Sequence, residues 1–164
     1  MFYVGGDCAN SNIELHDIRF SIGETDAACH EDLRRQWWGE PKSLHIDCWG
    51  AIEQADGFNV AINSVPTPGQ AEKLFFLNLG GYDPSEFGEL HKNVLLVAAD
   101  VRTAIARALG GIRDWSLRHR DRIFDIEKTI NLNSMSEQRG HYISLSRAST
   151  EKPFRFSCKY LRLT

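Results

Sequence analysis

Hydrophobic and polar positions change period several times along this chain, and each change marks a new element. Residues 1–5 are mostly apolar and run into Gly5-Gly6, which predicts a strand ending at the glycine pair. After the polar stretch Ala9-Asn10-Ser11-Asn12, residues 13–23 alternate: Ile13 and Leu15 take one phase, and Ile18, Phe20 and Ile22 the other. A phase change at Asp17 predicts a strand carrying a bulge. From Asp26 to Trp38 the apolar residues Cys29, Leu33 and Trp37 recur every fourth position. That spacing makes one stripe on a helix, and Thr25 is placed to cap its start. Segments 44–54 and 58–63 read as strands around Ala55-Asp56-Gly57, a hairpin-turn signal.

The second half follows a similar order. Val65-Pro66-Thr67-Pro68-Gly69 reads as a linker, because proline cannot donate to a strand ladder. Strands are then expected at 73–79 and 90–98. A helix is expected at 101–109, with Val101, Ile105 and Ala108 or Leu109 on its apolar side. A strand at 120–132, a loop at 133–140 and a strand at 141–147 complete this half. Residues 154–163 alternate as a further strand, with Phe154, Phe156, Cys158 and Tyr160 on one side and Arg155, Ser157 and Lys159 on the other.

Sliding the sequence by 75 positions places Gly5-Gly6 on Gly80-Gly81 and Glu14-Leu15-His16 on Glu89-Leu90-His91. With one residue removed, His45-Ile46-Asp47 falls on His119-Arg120-Asp121. Self-similarity that keeps its order along the chain is the mark of a duplication. The expected fold is therefore α+β: a tandem duplication of a ββαββ unit with an extra C-terminal strand. Its parts are a first repeat at 1–65, a linker at 66–72, a second repeat at 73–147 and an extension at 148–164, with the repeats packing as one globular unit.

Composition adds a class and a compartment. Of the 164 residues 42% are hydrophobic and 25% charged, which is globular and excludes a disordered or collagenous chain. No apolar run approaches the roughly 20 residues that span a bilayer, and the start resembles no signal peptide, so no membrane role and a cytosolic location are expected. The four cysteines, Cys8, Cys29, Cys48 and Cys158, include no C-x-x-C pair and are read as reduced thiols. The net charge of −3 hides an asymmetry: residues 1–72 carry 12 acids and 4 bases, and residues 73–164 carry 10 acids and 15 bases.

The glycine pair, Asn12-Ile-Glu-Leu-His-Asp-Ile-Arg-Phe20, Leu44-His-Ile-Asp47 and Asp56-Gly-Phe58 together resemble the bacterial domain-of-unknown-function family numbered 1543. Leu74–His91 looks like a second copy of the same signature. The resemblance implies a domain that occurs in one or two copies. It implies no activity.

Chemistry-bearing residues cluster in both halves. On a strand, residues i and i+2 share a face. Glu14 with His16, and Glu89 with His91, therefore each pair a carboxylate with an imidazole, as do His45 with Asp47 and His119 with Asp121. Such pairs suit acid–base work or ligand binding, and equally suit the ordering of a loop. Glu14, His16, Glu89 and His91 are the catalytic candidates if the protein is a small hydrolase-like or isomerase-like enzyme. His45, Asp47, His119, Asp121, Cys8 and Trp38 are candidates for binding a ligand. With no His-x-His or His-Glu-x-x-His, no metal centre is read, and without a Gly-x-Gly-x-x-Gly or Gly-Lys-Ser/Thr sequence no cofactor is expected. The glycine pairs are read as tight turns needing positive φ.

One basic segment remains, with Arg113, Trp115, Arg118, Arg120 and Arg122. It could hold phosphates and stack a base, but Asp114 and Asp121 dilute it, which argues against nucleic acid and for a charge seam. The leading expectation is a duplicated module that binds an unknown protein or small molecule without catalysis, with a homodimer left open.

Overall fold

The computed structural model describes residues 1–82, 85–111 and 125–163, and the side chains of 125–127 are left aside. The fold is α+β, with three helices and ten strands, all antiparallel where paired, among the described residues. The chain divides into two compact units, residues 1–52 with 153–164 and residues 53–152.

The first unit contains β1 (Phe2–Gly6), β2 (Leu15–Arg19), α1 (Asp26–Gln36), β3 (His45–Trp49) and, from the far end of the chain, β10 (Ser157–Arg162). These strands make one sheet in the order β10-β3-β1-β2. The helix forms where its stripe predicts. Thr25 accepts a hydrogen bond from the Ala28 N–H at 3.2 Å, satisfying one of the donors left over at a helix start. Cys29 and Leu33 are buried against Phe2, Val4, Leu44, Ile46 and Leu163, with Trp37 and Trp49 packed on the same cluster. Alternation along β1 puts Phe2 and Val4 into this core, so Tyr3 and Gly5 face the other side of the sheet.

The second unit contains β4 (Gln54–Ala55), β5 (Phe58–Asn63), β6 (Lys73–Tyr82), β7 (Glu89–Ala98), α2 (Val101–Gly110), β8 (Asp125–Asn131), α3 (Leu132–Glu137) and β9 (Tyr142–Arg147). It holds two sheets, ordered β4-β5-β9 and β7-β6-β8. Asp56 and Gly57 both take positive φ, 52° and 75°, as a two-residue hairpin turn requires. Asp56 also receives a bidentate bond from Arg107, at 2.6 and 2.7 Å, which ties the turn to α2.

In both units a strand–strand–helix–strand order surrounds a central first strand. The registers are also parallel: Gly5 stands opposite His16 and His45, and Gly80 stands opposite His91 and Asp125. Just before this row each third strand carries one extra residue, Asp47 of β3 opposite Tyr3 and Val4 and Glu127 of β8 opposite Asn78 and Leu79. The register therefore aligns His45 with Asp125, six residues beyond the His119 that the sequence shift selects.

Several expectations need correction. The compact units do not divide at Pro66–Pro68: β5 pairs along its whole length with β9, and the C-terminal strand joins the first unit beside β3. Partner choice in a sheet is a long-range event that the local proline signal does not report. Gly5-Gly6 and Gly80-Gly81 lie inside strands rather than in turns. On α2 the buried residues are Ala104 and Ala108, whereas Val101 and Leu109 are exposed. Residues 132–137, expected as loop, form α3. Asn131 caps it, and buried Asn133 accepts from the Leu74 N–H at 2.8 Å and donates to the Ile143 carbonyl at 3.2 Å. Tertiary hydrogen bonds hold that helix, so it needs no apolar period of its own. Finally, Cys48 and Cys158 form a disulfide, while Cys8 and Cys29 stay free. The pairing joins neighbours on β3 and β10 that are 110 residues apart in sequence, a proximity that spacing alone does not reveal, and it removes the thiol argument for a reducing compartment.

Candidate functional site

The face of the first unit's sheet that looks away from α1 brings together both of its carboxylate–imidazole pairs. Residues directly opposite each other on neighbouring strands point to the same side, so the register fixes a row of His16, Gly5 and His45 across β2, β1 and β3. Glu14 lies two residues before His16 and Asp47 two residues after His45, on that same side.

The missing side chain at position 5 makes the row possible. A Cβ there would fall 2.6 Å from His16 Cδ2, 2.7 Å from His16 Nε2 and 2.8 Å from His45 Nε2. Both imidazoles occupy the space that any other residue would fill. The glycine is thus required by close approach, and its backbone is ordinary extended strand.

His45 is the fixed member. Its side chain is only 3% exposed, and Nδ1 is 3.0 Å from the Ser43 carbonyl. That carbonyl can only accept, so Nδ1 carries the proton and Nε2 faces the cluster. Tyr160 of β10 packs its ring 4.6 Å from the His45 ring on another side. His16 is held by a near-parallel stack on Tyr3, at 5.1 Å and 10°. Desolvation, and then the charge of Asp47, raise the Tyr3 hydroxyl above its ordinary range and keep it a neutral phenol.

Ligand-type atoms of four side chains converge between these rings. His16 Nε2 is 3.1 Å from Asp47 Oδ2 and 3.6 Å from Glu14 Oε1. His45 Nε2 is 3.5 Å from Asp47 Oδ2 and 3.6 Å from Glu14 Oε2. Asp47 Oδ2 is buried yet receives no hydrogen bond, so its 3.1 Å approach to His16 is close without being aligned. One donor atom each from Glu14, His16 and His45 lies within 4.8 Å of the other two.

The remaining candidates are dispersed. Glu89 and His91 lie on β7 with 3.8 Å between carboxylate and imidazole, and the register sets Asp125, not a histidine, across from them. Cys8 follows β1 in a loop, where partial burial and then the charges of Asp7 and Glu40 push its thiol up, disfavouring the thiolate a nucleophile needs. Trp38 is 54% exposed and stacks on Trp37. His119, Asp121, Arg113, Trp115, Arg118, Arg120 and Arg122 lie outside the described residues. Sequence reasoning missed Gly5, Tyr3 and Tyr160 as parts of the site. Gly5 was visible as half of a glycine pair, but only the cross-strand register shows what it makes room for.

Residues 11–62 match the model of the family described as Domain of Unknown Function (DUF1543), a span that contains all four converging side chains. The match covers one copy. The chain is similar over 99% of its length to the crystal structure of a protein Il1583 from Idiomarina loihiensis, of which 95% is covered, with 25% identity and a TM-score of 0.69. No curated protein matches it. Among the described residues, no helix is long and apolar enough to cross a membrane.

Proposed function

We propose that this protein is a non-catalytic binding module whose site for a small ligand is the cluster of Glu14, His16, His45 and Asp47. We further propose that its second unit is a diverged copy of the first, with both belonging to the family that matches residues 11–62. The observation that carries the reading is the buried Asp47 Oδ2 without a hydrogen bond, facing a buried His45 whose Nε2 points at it. Unsatisfied buried polar atoms cost about 1–3 kcal/mol each, and a fold retains them where something else makes use of them. The shared strand order and the glycine rows support the duplication. The proposed compartment is the cytosol, in which the Cys48–Cys158 pair must withstand a reducing thiol pool.

The test is a thermal-shift panel on the whole chain with divalent cations, small organic amines and dicarboxylates. At least one class should raise the melting temperature of the wild type. The shift should vanish in Asp47→Asn and persist in Glu89→Gln. A panel without any shift, or a shift that Asp47→Asn retains, would overturn the reading.

A further inference from the structure

We propose that Glu14, His16 and His45, with Asp47 beside both imidazoles, form a site for one divalent transition-metal ion of the zinc class. The proposal rests on the binding reading above and names its ligand. Three donors, from Glu14, His16 and His45, gather within 4.8 Å of one another, Asp47 Oδ2 stands beside both imidazoles, and no cationic side chain accompanies them in these contacts. With Nδ1 of His45 protonated toward Ser43, Nε2 presents a lone pair to two carboxylates. Acceptor against acceptor is repulsive, and a cation between them turns every one of these approaches into an attraction.

The distances fit such an ion. Ligand atoms about 2.0–2.2 Å from a tetrahedral zinc stand roughly 3.3–3.6 Å from one another. The nitrogen–oxygen separations here are 3.1 and 3.5 Å from Asp47 Oδ2 to the two imidazoles, and 3.6 Å from each imidazole to one of the two Glu14 oxygens. Direct N–H···O bonds would draw these atoms to about 2.7–3.2 Å and align them, and only one separation falls in that range, without alignment.

Donor chemistry narrows the class. Two imidazoles and two carboxylates suit zinc and its first-row neighbours, whereas calcium and magnesium prefer all-oxygen shells. The surroundings also match a built metal site. The Ser43 carbonyl orients the His45 ring through its second nitrogen, as the partners of metal-bound histidines do. Tyr3 and Tyr160 pack against the two imidazoles, and Gly5 clears the floor beneath them. The four donors come from two short segments, 14–16 and 45–47, so no metal-binding motif appears in the linear sequence.

The experiment uses the full untagged chain with its disulfide intact, freed of metal by a chelator. Zn²⁺ is titrated calorimetrically, and Co²⁺ is followed by its visible absorption, which is intense when four-coordinate and weak when octahedral. One equivalent of each is expected, with the strong cobalt spectrum. His16→Ala and Asp47→Asn should each weaken Zn²⁺ binding at least tenfold, and Cys8→Ser, Glu89→Gln and His91→Ala should leave it unchanged. Circular dichroism of the metal-free variants separates lost ligands from lost folding, and His16, the more exposed imidazole, is the variant expected to fold. Absence of Zn²⁺ and Co²⁺ binding by the folded wild type overturns the metal proposal. Equal affinity for Ca²⁺ or Mg²⁺, or Zn²⁺ affinity untouched by both variants, does so too. If a non-metal ligand still gives an Asp47-dependent thermal shift, the metal proposal falls and the binding module stands. If no ligand does, both fall.

Discussion

Two rows of residues, one in each unit, share a backbone plan and differ in what they place on it. In the first, Gly5 is flanked across the strands by His16 and His45; in the second, Gly80 is flanked by His91 and Asp125. A second imidazole at the third-strand position gives the first unit a buried ring, anchored at Nδ1 by a carbonyl, whose Nε2 faces two carboxylates. In the second unit His91, about half exposed, stands 3.8 Å from the Glu89 carboxylate. The comparison teaches that one strand register can carry different residues at its third-strand position, His45 in one unit and Asp125 in the other. The C-terminal strand sharpens the difference, because it brings Tyr160 and the disulfide to the first unit's sheet.

The largest effect is expected from removing that strand's anchor. Cys158→Ser opens a loop with a sequence separation of 110, and entropy of that order contributes about 2–5 kcal/mol. Denaturant unfolding should show this loss. Hydrogen exchange should show it concentrated in residues 1–52, with the strands of 53–152 keeping their protection; uniform loss across both units would break the distinction between them.

Next comes Gly5→Ala. Its new methyl would crowd His16, which can swing outward, and His45, which is buried and cannot. Overpacking of this kind costs about 1–3 kcal/mol, and ligand binding at the cluster should be lost with it. A stable Gly5→Ala chain that still binds would show that the glycine is not making room for the imidazoles.

The smallest effect has the opposite sign. In the ligand-free chain, Asp47→Asn removes a buried, unsatisfied negative charge and should raise stability by about 1 kcal/mol. Glu89→Gln, at the corresponding pair of the second unit, should change it by under about 0.5 kcal/mol. Measured by chemical denaturation after chelator treatment, equal effects at the two sites would erase the asymmetry between the rows.

Read alone, the sequence determined most of what depends on neighbours in the chain. The apolar stripe of α1 with its Thr25 cap and the Asp56-Gly57 turn rest on interactions within a few residues, and those leave a period or a signature residue behind. The sharing of a face by Glu14 with His16, and by His45 with Asp47, was legible for the same reason. Only the tertiary structure decided that these two pairs meet, that Gly5 separates them, that Cys48 finds Cys158, and that β5 pairs with β9. Each of those depends on which strands become neighbours and in what register, a choice made by burial and ladder pairing across tens of residues. Such a choice leaves no local period to read.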